Sequence, residues 1–245
     1  IRLGEDVFLN GKISDKKIEK LVTAMRGFHE IIKVYEVDAF RAVATSAMRD
    51  ASNSAEIIDL IKKETGLQIE IIDGKLEAQL VFSNHIEEML NPKHAYMYID
   101  VGGGSTELTL YHNQKVISSK SFNIGTVRML LNKVDWIKKA TLGIHPIHAI
   151  GSGGNINKIY KMTKKENNNI SYSKLKGIHD MLNSYTYEER IEVLGLKPDR
   201  ADVIVHASKI FITIMKIGEM ETIFVPQIGL SDGIIHELYD KHRKK

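Results

Sequence analysis

Asp100-Val101-Gly102-Gly103-Gly104-Ser105-Thr106-Glu107 places a triple-glycine turn between two strand-like runs, Ala95-Tyr-Met-Tyr-Ile-Asp100 and Leu108-Thr-Leu-Tyr111. Both runs carry residues that suit a pleated, half-buried surface, so the segment reads as a hairpin. Glycines at the tip remove every Cβ, which lets the backbone take positive φ and its N–H groups close on a bulky anion. Phosphate is the natural anion for Gly102, Gly103, Gly104 and Ser105. Asp100 and Glu107 flank the tip and would repel a bare phosphate, so a hard cation, Mg²⁺ or Mn²⁺, is expected between them and the ligand. A tight hairpin that binds nothing would use glycine in the same way.

A second loop, Gly151-Ser152-Gly153-Gly154-Asn155, follows the apolar run Ile147-His-Ala-Ile150 and precedes the helical pattern Ile156-Asn-Lys-Ile159-Tyr160. Strand, glycine loop and helix together aim free N–H groups and the positive end of a helix dipole at an anion. The loop matches neither a dinucleotide fingerprint nor a Walker loop. A third element is Ala44-Thr-Ser-Ala-Met-Arg49-Asp-Ala-Ser-Asn53, after the strand-like Ala39-Phe-Arg-Ala-Val43. Arg49 is the candidate clamp, because guanidinium grips phosphate bidentately, with a surface salt bridge as the bland alternative. Asn53 reads as the cap of a helix from Ser54 to Thr65 that Gly66 ends. The fourth element is Gly74-Lys-Leu-Glu77-Ala, between the strand Leu67–Ile72 and a helix expected from Leu76 to Met89. Glu77 would by itself be a first-turn acid that favours the dipole; beside two phosphate loops it becomes a base that orients water.

These segments, in this order, resemble the exopolyphosphatase and guanosine pentaphosphate phosphohydrolase family of the actin-like superfamily. The resemblance rests on A-T-S-A-M-R-D-A-S-N at 44–53, D-G-K-L-E-A at 73–78, D-V-G-G-G-S-T-E-L at 100–108, S-F-N-I-G-T-V-R at 121–128 and G-S-G-G-N at 151–155. It continues through Tyr187-Glu-Glu-Arg-Ile191, Gly195-Leu-Lys-Pro-Asp-Arg-Ala-Asp-Val203 and Gly229-Leu-Ser-Asp-Gly233. It implies an α/β chain of two actin-like, ribonuclease H-like domains with the active site in the cleft between them. Residues 1–92 would be the first domain and 93–245 the second, with the helix 231–245 packing back on the first. Glu77 would be the catalytic glutamate, Asp100 and Glu107 the metal- and water-organising acids, and Gly102 to Ser105 a phosphate loop. Two features depart from the family. Its first phosphate loop, Asp-x-Gly-[ST]-Asn-[ST], is not found, so an N-terminal piece before Ile1 is expected. Only Met129 to Pro146 separates Arg128 from the strand before Gly151, which makes Trp136-Ile137 and Asn167–Asn169 candidate sites of missing chain.

At 245 residues and 43% hydrophobic content, the chain can fill the core of one large domain or two small ones. It has no cysteine, which excludes disulfides and thiol chemistry and suits a cytoplasmic protein. No apolar stretch is long enough to span a bilayer. A net charge of +3 is far from that of a nucleic-acid-binding tail, and Lys241-His-Arg-Lys-Lys245 reads as a solvated helix end. Ser14 is expected to cap a helix with Ile18, Leu21, Val22, Met25, Phe28 and Ile32 on its core face. Pro198 should open a long helix whose buried stripe carries Val203, Ile204, Ala207, Phe211 and Ile214. Arg200 and Asp202 there read as first-turn ion pairs, with Arg200 facing phosphate as the alternative. The ten histidines and nine methionines read as structural residues, and Trp136 as a packing residue.

The expected activity is Mg²⁺-dependent release of terminal phosphate from inorganic polyphosphate, with guanosine pentaphosphate as the second choice of substrate. A non-catalytic module that binds polyphosphate or guanosine tetraphosphate is the alternative from another class, and an actin-like ATPase or sugar kinase a third. Neither nucleic acid nor membrane is an expected partner. A homodimer is expected on the frequency of twofold assemblies alone.

Overall fold

The chain divides into two compact units, Ile1–Ser83 with Leu230–Lys245, and Asn84–Gly229. The structure is a computed structural model that describes residues 1–82, 91, 93–102, 105–113, 115–122, 134–163 and 167–243. The division falls earlier than Pro92, and the last helix belongs with the first unit.

The first unit runs α1 (Leu3–Asn10), α2 (Asp15–Val34), β1 (Ala42–Ala44), α3 (Ser46–Asp50), α4 (Ser54–Thr65), β2 (Ile69–Ile71) and α5 (Gly74–Phe82), completed by the last helix, α12 (Leu230–Arg243). β1 and β2 pair in parallel, from Ala42 opposite Ile69 to Ala44 opposite Ile71. Both strands are shorter than the runs 39–43 and 67–72 read from the sequence. Ile18, Leu21, Val22 and Met25 line one face of α2 and pack with Val7, Ile13, Met48, Ile57 and Ile61. The expected stripe fails at Phe28, which is 56% exposed. Ser14 and Asn53 occupy N-cap positions, yet neither side chain caps. Ser14 Oγ donates to Asp6 Oδ2 at 2.5 Å. The Asn53 amide spans both backbone groups of Ile13, accepting from its N–H at 3.0 Å and donating to its carbonyl at 2.9 Å. An amide carries a donor and an acceptor, and this pairing satisfies two backbone groups where a cap would satisfy one. A smaller core of Ile72, Leu80 and Ile234 joins the exit of β2 to α5 and α12. Arg41 adds ion pairs to Glu70 and, on α12, to Glu237.

The second unit is built on one sheet. Its elements are β3 (Ala95–Val101), β4 (Thr106–His112), β5 (Lys115–Phe122), α6 (Val134–Thr141), β6 (Ile147–Ser152), α7 (Gly154–Lys161), β7 (Asn169–Ser171), α8 (Tyr172–Ser184), α9 (Tyr187–Glu192), α10 (Pro198–Ala201), α11 (Ile204–Ile217) and β8 (Thr222–Phe224). The strand order is β5-β4-β3-β6-β8-β7. The β3–β4–β5 meander is antiparallel, with Asn113 at φ 52° in its second turn, and β6 and β8 continue in parallel with β3. β7 adds an antiparallel edge strand not foreseen in the sequence, entered through Asn167 and Asn168 at φ 48° and 57°. Met97, Ile99, Val101, Leu108 and Leu110 present alternate side chains to a core that includes Ile156, Leu175, Ile204, Phe211 and Ile214. The long helix expected from Pro198 is two helices. Hydrogen bonds at Arg200 and Val203 reach back three residues, to Lys197 and Arg200, which tightens the chain between α10 and α11. Trp136 packs edge-on against Phe122 with centroids 5.5 Å apart. Among the described residues, no helix is long and apolar enough to cross a membrane.

Candidate active site

Because side chains alternate along β3, the packing of Ile99 and Val101 into the helical core puts Asp100 on the other face of the sheet. Register then decides its neighbours: Glu107 stands opposite Asp100 on β4, and Ser152 opposite it on β6. Two carboxylates thus occupy paired positions beside the glycine hairpin. Gly102 N–H donates to the Ser105 carbonyl at 3.0 Å and closes the hairpin's base. Gly103 and Gly104 lie outside the described residues.

Glu107 is 7% exposed, and its Oε1 accepts from Ser105 Oγ at 2.6 Å and Ser121 Oγ at 3.1 Å. Ser121 was not among the expected site residues. No sequence signal marked it, because an irregularity between Leu110 and Tyr111 shifts the register that pairs Ser121 with Glu107. Burial, together with the negative charge of Glu107, pushes the Asp100 carboxyl from 3.8 to about 7. Like charges at this spacing favour a shared proton or a bound cation.

The second glycine loop closes on the same carboxylate. Gly153 has φ 93°, and a Cβ there would lie 2.7 Å from Asp100 Oδ1. Both backbone and space demand glycine at this position. Gly153 is also the N-cap of α7, whose first-turn N–H groups lack helical acceptors and carry the positive end of its dipole. Ser152 and Asn155 are buried. A Cβ at Gly151 would meet Ile223 at 2.7 Å, so this glycine serves strand packing. Arg200 reaches from α10 to donate through Nη1 to Asn155 Oδ1 at 2.7 Å.

The other two predicted residues belong to the first unit. Arg49 sits in α3, after β1, and its Nη1 donates to the Ile72 carbonyl at 2.8 Å, so one arm of the expected clamp is engaged with the main chain. Glu77 lies in the first turn of α5, a helix that Asp73 opens by accepting from Leu76 N–H at 2.7 Å. Asp100, Glu107, Gly102, Ser105 and the loop Gly151–Asn155 all belong to the second unit. Among the described residues, no group of three or more His, Asp or Glu side chains is arranged to hold a metal. His94 and His148 stack with their ring centroids 4.9 Å apart.

Comparison with known proteins places this geometry in context. A model of the Ppx/GppA phosphatase family matches residues 1–135 and 131–242. The chain is 30% identical over 237 residues to the bifunctional 3-dehydroquinate synthase/phosphatase of Fusobacterium nucleatum, covering 84% of this chain and 36% of that protein. It is 31% identical over 134 residues to exopolyphosphatase 2 of Mycobacterium tuberculosis, covering 53% of this chain and 42% of that one. The chain therefore spans less than half the length of these two relatives. The crystal structure of an exopolyphosphatase from Cytophaga hutchinsonii shares the fold, with a TM-score of 0.79 at 23% identity, covering 95% of this chain and 85% of that one.

Proposed function

This chain belongs to the Ppx/GppA phosphatase family, and on that premise we propose that it is a phosphohydrolase that releases terminal orthophosphate from inorganic polyphosphate. The observation that carries the reading is the pairing of Asp100 with Glu107 beside the glycine hairpin, with Gly153 of a second glycine loop packed on Asp100. The similarity to the Mycobacterium tuberculosis exopolyphosphatase and the Fusobacterium nucleatum synthase/phosphatase supports the reaction class.

Mg²⁺ is usually held by one or two carboxylates, with waters and substrate phosphates completing its shell, so an Asp–Glu pair is a sufficient protein donor set. Asp100 and Glu107 would hold it, and when bound it would neutralise charge on the phosphoryl group being transferred. Ser105 and Ser121 fix the Glu107 carboxylate in one orientation. Backbone N–H groups of the hairpin tip after Gly102, whose own N–H is held by the Ser105 carbonyl, and of Gly153–Asn155 at the start of α7 would bind phosphate oxygens, with Arg49 as a further grip. Glu77 would orient a water and take its proton as the water oxygen bonds to the terminal phosphorus and the bridging P–O bond breaks. The shortened chain keeps its negative charge on the leaving oxygen. Preorganised groups of this kind each contribute on the order of 10²–10³ in rate.

The test is phosphate release by the full-length protein and its Glu77→Gln variant, on polyphosphate and on guanosine pentaphosphate side by side. The variant should lose at least about a hundredfold in turnover while retaining substrate binding. Faster release from the nucleotide would move the substrate to guanosine pentaphosphate within the same chemistry. Tight binding of either compound with no release would establish a binding module instead.

A further inference from the structure

Gly153 and Gly154 are adjacent glycines with different physical reasons. The first needs its φ of 93°; the second, opening α7, lies outside the left-handed region, where alanine would be tolerated by the backbone. Alanine in a helix is favoured over glycine by about 1 kcal/mol. What occupies the space of a Cβ at Gly154 is a guanidinium: Arg200 Nη2 would stand 2.7 Å from it and Nη1 3.1 Å. The same Nη1 donates to Asn155 Oδ1 at 2.7 Å. Asn155 is 4% exposed, and its Nδ2 points to the Val101 carbonyl at 3.5 Å, one residue beyond Asp100. A chain of contacts therefore runs from α10 through the second loop to the end of β3.

Building on the proposed hydrolysis, we propose that Arg200 is a positioning residue: by lying on Gly154 and holding Asn155, it keeps Gly153 seated against Asp100. The guanidinium is suited to this because its plane covers a glycine while its edge donates to an amide. Arg200 does not touch the carboxylate, so its influence passes through the loop. Small misplacement of a reacting arrangement can cost on the order of a hundredfold in rate. The segment Gly195–Val203, which has no direct part in the hydrolysis, thereby acquires an indirect one.

The full-length protein and its R200A, R200K, G154A and R200A/G154A variants decide the matter through two readouts: amide exchange of the peptide 151–158 without substrate, and kcat and KM on polyphosphate. Arg200→Ala and Gly154→Ala should each raise exchange in that peptide and lower kcat by roughly tenfold to a hundredfold with little change in KM. The double variant should be no worse than Arg200→Ala, since the added methyl then has nothing to displace. Arg200→Lys should fall between, because an ammonium supplies a point donor without the plane. Multiplying effects in the double variant would overturn the proposal, as would unchanged exchange in Arg200→Ala. A raised KM with unchanged kcat would overturn it too, and make Arg200 a substrate-binding group. A wild-type protein that releases no phosphate sinks the hydrolytic reading alone; raised exchange in Arg200→Ala then still supports the latch, and unchanged exchange refutes it.

Discussion

Asp100→Asn should stabilise the second unit at alkaline pH while abolishing phosphate release. Burial and the facing charge of Glu107 raise the Asp100 carboxyl from 3.8 to about 7 in the folded protein. The folded state then binds the proton more tightly than the unfolded chain does. Stability from this group is complete below about pH 3.8 and is lost as pH rises, with the loss finished above about pH 7. Each pKa unit corresponds to about 1.4 kcal/mol, so the full loss is on the order of a few kcal/mol, most of it falling between about pH 5 and pH 8.5. Asparagine keeps the shape and carries no charge, so its stability should lack this slope. The assay is urea unfolding in excess chelator, followed by fluorescence of Trp136, the sole tryptophan, which packs on Phe122 in the same unit as Asp100. The gap between variant and wild type should widen with pH and close on acidification. Equal stability differences at about pH 5 and pH 8.5 would refute the argument that a buried, charge-opposed carboxylate strains the fold.

Gly153→Ala must take φ 93° and push a methyl group to 2.7 Å from Asp100 Oδ1; a loss of about 1–3 kcal/mol is expected, with turnover reduced, and an unchanged thermal midpoint would show that the loop relaxes freely. Arg49→Ala removes a charge-assisted bond to the Ile72 carbonyl and should cost about 1–2 kcal/mol. Its KM for polyphosphate should rise as well, and an unchanged KM would confine Arg49 to a structural role. Exhaustive chelation should abolish phosphate release and added Mg²⁺ or Mn²⁺ restore it, because Asp100 and Glu107 cannot share a site with a polyanion uncompensated; full activity in excess chelator would count against that assignment.

The sequence alone determined the hairpin, the glycine loops and the α/β class, because each is written in neighbouring residues. Alternating apolar residues on both sides of Gly102–Gly104 specify paired strands, and Gly153 followed by Asn155 marks a strand-to-helix turn without reference to the rest of the chain. Local pattern was misleading where a side chain had a distant partner. Asn53 and Ser14 have cap chemistry, yet Ile13 and Asp6 claim them. Phe28 keeps the helical spacing of its neighbours, but burial depends on what packs against α2 and nothing in the period reveals it. The three-residue β7 is too short to leave a periodic signal, and it exists because β8 offers it an edge. The site shows the same division. Asp100 and Glu107 were legible as acids flanking a turn, while their direct opposition follows from strand register, and the raised Asp100 carboxyl follows from burial and from that opposition. Ser121, on the third strand, reaches Glu107 only once β4 and β5 are paired. Arg200 lies 45 residues from Asn155 along the chain, and only folding could bring its guanidinium onto Gly154, because no local rule relates residues so far apart.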